Sequence, residues 1–185
     1  MSAFESAKIM LVEPDARVLE MAVESLTRRF GARITCTAGG EDALDIEIVE
    51  PHDLVIADVD LPGMDGITLA GHLKELSDRP VILTSGRPTL SQAIESVRLS
   101  VSDFLSKPYA MSAMLDSTEK ALRLHRATCR QKRRYRQLRQ MTKRVLSQRR
   151  ELNQRIDLIC RDLVGAHRRL VCRVLETEQA RRDEN

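Results

Sequence analysis

Tryptophan is absent from the 185 residues, and aromatic side chains make up only 3% of them. Any core must therefore be aliphatic, and the 42% hydrophobic share is large enough to supply one. Cysteine is sparse. Cys36, Cys129, Cys160 and Cys172 lie far apart with no C-x-x-C pair, which argues against zinc and dithiol redox motifs. Buried or idle thiols in a reducing compartment are the expectation. No apolar run approaches the ~18 residues that a membrane-spanning helix needs. The first residues carry no basic-then-apolar signal pattern. These absences lead us to expect a soluble, cytoplasmic chain with no membrane partner.

Charge is present in quantity and unevenly placed. Residues 1–119 hold 10 basic and 20 acidic side chains, a net of −10, whereas residues 120–185 hold 20 and 7, a net of +13. The overall +3 therefore hides two parts suited to different surroundings.

In the acidic part, short apolar runs alternate with helical patterns. KIMLV (8–12), RITCT (33–37), DLVIA (53–57), VILT (81–84) and DFLS (103–106) read as strands. Between them the spacing predicts helices over 16–30, 41–50, 67–76 and 89–99, and another begins near Met111. Five strand-then-helix repeats imply a doubly wound α/β fold, a five-stranded parallel sheet covered on both faces. In such sheets the functional crevice lies beyond the carboxyl ends of the strands. Glu13 and Asp15 follow the first strand, Asp58 the third, Ser85 the fourth and Lys107 the fifth. In the flavodoxin-like strand order 2-1-3-4-5 they would share one pocket.

Glu13 after IMLV, Asp58 in ADVDLPGMDG, Ser85 in VILTSG and Lys107 in DFLSKP stand in the order and spacing of a known family. Residues 7–125 resemble a response-regulator receiver domain of two-component signalling. The resemblance implies that Asp58 takes a phosphoryl group from a sensor histidine kinase or phosphotransfer protein. Self-catalysed transfer and dephosphorylation would go with that role, rather than a dedicated enzyme activity. It also implies Mg²⁺ held by Glu13, Asp15, Asp58 and the backbone carbonyl of Asp60. Lys107 would pair as a point charge with the carboxylate and then the phosphoryl group, and Ser85 would donate a hydrogen bond to a phosphoryl oxygen. Phe104 stands where the family has its aromatic switch. In the turn, Pro62 and Gly63 set the shape, and Gly66 is expected to take a backbone angle that other residues avoid. Asp65 reads as a turn or cap residue. His52 and His72 have no acid or Cys partner at ligand spacing and are not candidates.

One position departs from the family. Receivers usually carry two adjacent acids after the first strand, and this chain reads VEPDA, with Pro14 in the second place. Asp15 is the expected substitute. Fewer ligands weaken metal binding and slow transfer, so the alternative is a degenerate receiver that acts as an adaptor without phosphorylation.

The basic part is different in kind. From Met111 to Ala180 there is no proline, and Gly165 is the only glycine. Leu138, Thr142, Val145, Leu152, Ile156, Ile159, Leu163, Ala166 and Leu170 recur at alternating four- and three-residue steps, interrupted at Arg149. Sustained heptads argue for a coiled coil. A helix of ~70 residues would extend ~105 Å, too long to stand unpaired, so a parallel homodimer is expected. The alternative is a break near 126–134 that folds the tail back as a hairpin. Past residue 152, Val164, Val171, Val174 and Leu175 widen the apolar stripe, which suits a four-helix bundle or a docking partner. From Lys120 to Arg150 there are 13 basic residues and no acid. A basic helix followed by heptads is also the order of dimeric DNA-binding helices, so a nucleic-acid-binding regulator is a rival reading. The block lacks a base-reading Asn, and no helix-turn-helix pattern accompanies it. A solvated arginine-rich face, or contact with the acidic part of the same or a neighbouring chain, are the other readings. The expected organisation is a receiver domain over 1–125 and a basic helical, coiled-coil extension over 126–185.

Overall fold

The computed structural model describes residues 7–183, with side chains described for 7–171 and 173. Ten elements alternate: β1 (Lys8–Val12), α1 (Ala16–Phe30), β2 (Arg33–Thr37), α2 (Gly40–Val49), β3 (Leu54–Asp58), α3 (Gly66–Leu76), β4 (Val81–Ser85), α4 (Leu90–Arg98), β5 (Asp103–Ser106) and α5 (Met111–Asp183). All strand pairs are parallel, in the order β2-β1-β3-β4-β5. The sequence-based segments agree with these to within one or two residues at each end.

Strand pleating divides the core in two. On one face Ile9, Leu11, Leu54, Ile56 and Ile82 pack with Leu26 and Phe30 of α1 and Met114 and Leu122 of α5. On the other, Met10, Val12, Val55, Ala57, Val81 and Leu83 meet Ala43 of α2 and Leu69, Ala70 and Leu73 of α3. Alternate residues of one strand thus serve opposite layers, as a period of two requires. β3 and β4 are buried along their whole length, which explains their unbroken apolar runs. No aromatic ring is needed beyond Phe30 and the half-buried Phe104 and Tyr109 at the edges of the two layers.

Helix ends are written locally. Asp15 caps α1, Asp65 caps α3 through a 2.7 Å bond from the Thr68 amide, and Thr89 with Gln92 closes a capping box on α4. Gly31 terminates α1 in the left-handed conformation at φ 62°. The loop after β3 corrects the expectation for Gly66. The positive φ belongs to Gly63, at 73°. Gly66 is required for space: a methyl group there would overlap the Asp58 carbonyl oxygen.

The described residues fall into two units, divided between Arg130 and Gln131. Helix α5 continues through residues 126–134 without the break that a hairpin would need. In the second unit Leu138, Val145, Leu152, Ile156, Ile159, Leu163 and Leu170 are all exposed. Val174 and Leu175, expected to widen the apolar stripe, lie outside the residues whose side chains are described. Cys36 and Cys160 are exposed and Cys129 is half-buried, all three as free thiols, so of the two expected states, buried or idle, none of these three is a core residue. Among the described residues, no helix is long and apolar enough to cross a membrane.

Candidate functional site

Four candidate side chains at the carboxyl edge of the sheet are delivered by the ends of strands. Asp58 is the last residue of β3 and Ser85 the last of β4, while Glu13 and Lys107 directly follow β1 and β5. β1 and β4 both pair with β3, so the chain ends around Asp58 converge without any long loop. The Glu13 amide donates to the Thr37 carbonyl at 3.1 Å, and the Lys107 amide to the Ser85 carbonyl at 2.7 Å, which fixes where each side chain departs.

Lys107 is the hub. Its Nζ lies 2.7 Å from Asp58 Oδ2 and 2.7 Å from Glu13 Oε2. Both carboxylates are buried, Glu13 at 4% exposure and Asp58 at 6%. Burial alone would lower the lysine's pKa, but the hydrogen bonds and charges of Asp58 and Glu13 outweigh it and hold the pKa above its ordinary value. Two carboxylates against one ammonium leave this crevice with net negative charge. Asp58 Oδ1 is buried and has no hydrogen-bond partner, although a buried acceptor of this kind normally has one. Net negative charge and an orphaned carboxylate oxygen suit a hard cation that takes oxygen ligands. Glu13 and Asp58 therefore fit a divalent ion, in a reduced ligand set.

Asp15 is not brought to them. It is exposed, and its Oδ1 accepts from the amides of Arg17 at 2.8 Å and Val18 at 3.3 Å, so its carboxylate caps α1. Among the described residues, no three His, Cys, Asp or Glu side chains converge as a metal-binding group. The reason is local: with Pro14 intervening, the acid at position 15 is the N-cap of α1, and its carboxylate serves the first helical amides. Glu13 Oε1 accepts from the Asp15 amide at 3.2 Å, which ties the two ends of this short turn together. Asp60 follows on the β3–α3 loop, where its side chain is exposed.

Ser85 is fully buried, and its Oγ accepts from the Arg87 amide at 3.2 Å. Phe104 is partly buried against the core layer that holds Val55, Ala57 and Leu83. Tyr109, two residues beyond Lys107, is half-buried, and burial pushes its phenol pKa up. Its hydroxyl faces Met114 Sδ at 3.8 Å.

The sequence reading missed one polar cluster. His52 and Glu47 are both 3% exposed. Glu47 accepts from the His52 amide at 3.0 and 3.1 Å, and from the imidazole Nδ1 side at 2.7 Å, while Nε2 meets Thr35 Oγ1 at 2.8 Å. Arg79 pairs with the same carboxylate. Glu47 lies five residues before His52 and across a helix end, a spacing that matches no ligand or helix-face rule, so no local signal marked it. This cluster joins α2, β2 and the loop before β4.

Comparison with known proteins follows the same outline. A family model described as the response regulator receiver domain matches residues 9–119. The transcriptional regulatory protein HprR of Escherichia coli K12 is 30% identical over 120 residues, covering 65% of this chain and 53% of that protein. The response regulator protein FleR of Pseudomonas aeruginosa is 35% identical over 112 residues, covering 60% of this chain and 24% of that protein. The chain thus spans about half or less of the length of these relatives. A crystal structure of a CheY-like response regulator receiver domain protein from Methanospirillum hungatei JF-1 superposes with a TM-score of 0.64 at 20% identity, over 66% of this chain and 98% of that one. With the family match extending over more than half of its residues, the chain belongs to the response regulator receiver domain family of two-component signalling.

Proposed function

We propose that Asp58 is a phospho-acceptor and that the protein signals by pairing through its helical tail. The observation that carries the first half is the Lys107 ammonium shared between buried Asp58 and Glu13. In the transfer, an Asp58 carboxylate oxygen attacks the phosphorus of a phosphohistidine on a sensor kinase or phosphotransfer protein. The P–N bond breaks, the imidazole leaves with the electron pair and takes up a proton, and an acyl phosphate forms. Little bond-making falls to the protein in such a step, so positioning and charge neutralisation dominate. Lys107, already oriented by two carboxylates, releases part of its hold on Asp58 and pairs with the arriving phosphoryl oxygens. Ser85, at the end of β4, turns its hydroxyl from the Arg87 amide to a phosphoryl oxygen and draws the loop with it. Phe104 on the neighbouring strand repacks in the space this leaves.

Glu13, Asp58 and the Asp60 carbonyl would hold a Mg²⁺ ion, completed by waters. When bound, it would offset the charge that gathers on the phosphoryl oxygens. With Pro14 in place of a second acid and Asp15 committed to the helix cap, this is a thin ligand set, and weak binding with slow transfer follows.

The second half rests on the exposed apolar stripe of α5 from Leu152 to Leu170. A second copy in parallel covers it, forming a homodimer by coiled-coil pairing. Changes at Ser85 and Phe104 reach the tail through the first turns of α5.

The test is incubation with a small phosphodonor and Mg²⁺, followed by intact-mass measurement. The wild type should gain one phosphoryl mass that is labile to hydroxylamine, and Asp58→Ala should gain none. Equal labelling of the two would remove Asp58 from the role. Absence of labelling in both, including with a kinase-borne phosphohistidine, would favour the adaptor reading.

A further inference from the structure

Phosphoryl chemistry leaves unused a groove between α3 and α4 whose character matches the basic stretch of α5. Val59, Leu61, Ile67 and Leu99 give it an apolar floor. Asp60, Asp65, Glu75 and Glu95 rim it, and no Lys or Arg is among the described residues that line it. All four acids are exposed, and Glu95 has a loose 3.8 Å contact with Arg98. Like charges gathered around a partly apolar lining favour a cationic, partly apolar occupant.

The chain itself carries a segment of that chemistry. Residues 131–150 contain nine Lys and Arg side chains and no acid, on a helix that is exposed throughout this stretch. Tyr135, Leu138, Met141 and Val145 recur at three- and four-residue steps, each more than 60% exposed. That is an apolar stripe flanked by bases. The heptad seam is poor here, holding Thr142 and Arg149, and becomes aliphatic only from Leu152. Pairing of the distal helix therefore leaves the proximal stripe and its bases in need of cover. Amphipathic helices bind grooves by anchors at this spacing, and arginine stems can lie on an apolar floor while their guanidinium groups reach carboxylates at the rim.

We propose that the α3–α4 groove docks the basic stretch, residues 131–150, of a second copy of this chain. Each copy offers one groove and one basic stretch, so two copies can satisfy both by exchange. Docking needs no phosphoryl group, and its test stands apart from the role of Asp58.

Equal amounts of the full chain in natural and ¹⁵N-labelled form are mixed, treated with a zero-length carboxyl–amine coupling reagent, and digested for mass spectrometry. We expect mixed-isotope peptides joining Lys132 or Lys143 to Asp65, Glu75 or Glu95, in yields that fall as salt is raised. Glu75→Lys combined with Glu95→Lys should reduce these pairs at least tenfold. Adding Arg136→Glu and Arg139→Glu should bring groove-to-helix links back with amine and carboxyl partners exchanged. Asp58→Ala should leave the original pairs unchanged. Links found only within one isotope, links from the basic stretch to other surfaces, or pairs that survive the groove reversal would each overturn the proposal. So would a basic stretch that binds nucleic acid at physiological salt and gives no link to the groove.

Discussion

Lys107 and Asp58, 49 residues apart in sequence, meet at 2.7 Å between Nζ and Oδ2, while the other Asp58 oxygen is buried without a partner. Asp58 is thus paired through one oxygen and unpaired at the other. The same ammonium also neutralises Glu13, so its removal would leave two buried carboxylates facing each other. Breaking a buried pair by deleting one member costs about 3 kcal/mol at the low end of the usual range. The low end applies because the Lys107 side chain is 21% exposed. We expect Lys107→Met to lose about that much stability in urea melts at pH 7. The raised lysine pKa sets the alkaline limit of this effect. Its contribution is fully present below the ordinary lysine value of 10.5 and is lost as pH rises through the higher folded value. The wild-type advantage over Lys107→Met should therefore persist to strongly alkaline pH. An advantage that disappears near neutrality would contradict the geometry.

The metal site should respond to position 14. Pro14→Asp places a second carboxylate beside Glu13, and charge count tunes the affinity of oxygen sites for hard divalent ions. We expect Mg²⁺ to raise the melting temperature of the wild type slightly and of Pro14→Asp more, with binding tighter by about tenfold on that basis. Asp58→Ala should abolish the shift in both backgrounds. Calorimetric titration with Mg²⁺ reads the affinities directly, and equal affinity for wild type and Pro14→Asp would show that position 14 does not face the ion.

Most of this fold was legible because the strands are buried on both faces and the helices on one, which writes different periods into the chain. The site was legible because its members sit at strand ends, where an apolar run stops on a polar residue. Asp15 has a second role that residue type and proximity did not suggest: the start of α1 needs an acceptor, and the Asp15 carboxylate supplies it. Gly66 was misread because a glycine pattern does not distinguish a left-handed angle from a close approach. The Glu47–His52–Arg79 cluster was invisible, since its parts come from three segments and two of them are a helix end and a loop.

Substitution at the two glycines separates these causes. Gly63→Ala adds the strain of a left-handed angle, about 1 kcal/mol, and displaces only the end of the flexible Glu41 side chain. The loop should tolerate it. Gly66→Ala drives a methyl group into the Asp58 carbonyl, and overpacking against backbone costs about 3 kcal/mol. We expect the second change to cost clearly more in thermal melts and to disturb Asp58 amide shifts. Equal losses would return the angle explanation to Gly66.

The Glu47 cluster gives an acid-side prediction. Burial would raise the Glu47 pKa, but the hydrogen bonds from His52 and the charge and hydrogen bond of Arg79 outweigh it and lower it. A carboxylate with a depressed folded pKa stabilises above its unfolded value, and that contribution is lost as pH falls through the folded one. Glu47→Gln should therefore cost about 2 kcal/mol near neutral pH and progressively less below the ordinary carboxylate range. Its curve of stability against pH should converge on the wild type in acid. Parallel curves would mean that shape rather than charge holds the cluster.

The tail prediction turns on which residues lie in the seam. Ile156 and Ile159 occupy successive heptad positions and are 48% and 59% exposed in the single chain. Pairing must remove that area from water, and burying an isoleucine is worth at least about 1.5 kcal/mol. Two positions on each of two copies make about 6 kcal/mol, or roughly four decades in dissociation constant. Alanine at both positions retains high helix propensity, so the helix itself is not penalised. We expect Ile156→Ala with Ile159→Ala to convert a dimer into a monomer across the micromolar range in sedimentation equilibrium. Leu158 is as exposed as its neighbours, at 60%, but it lies outside the heptad positions and serves as the control. If Leu158→Ala weakened association as much as the pair did, the contact would be a broad apolar face rather than a two-stranded seam.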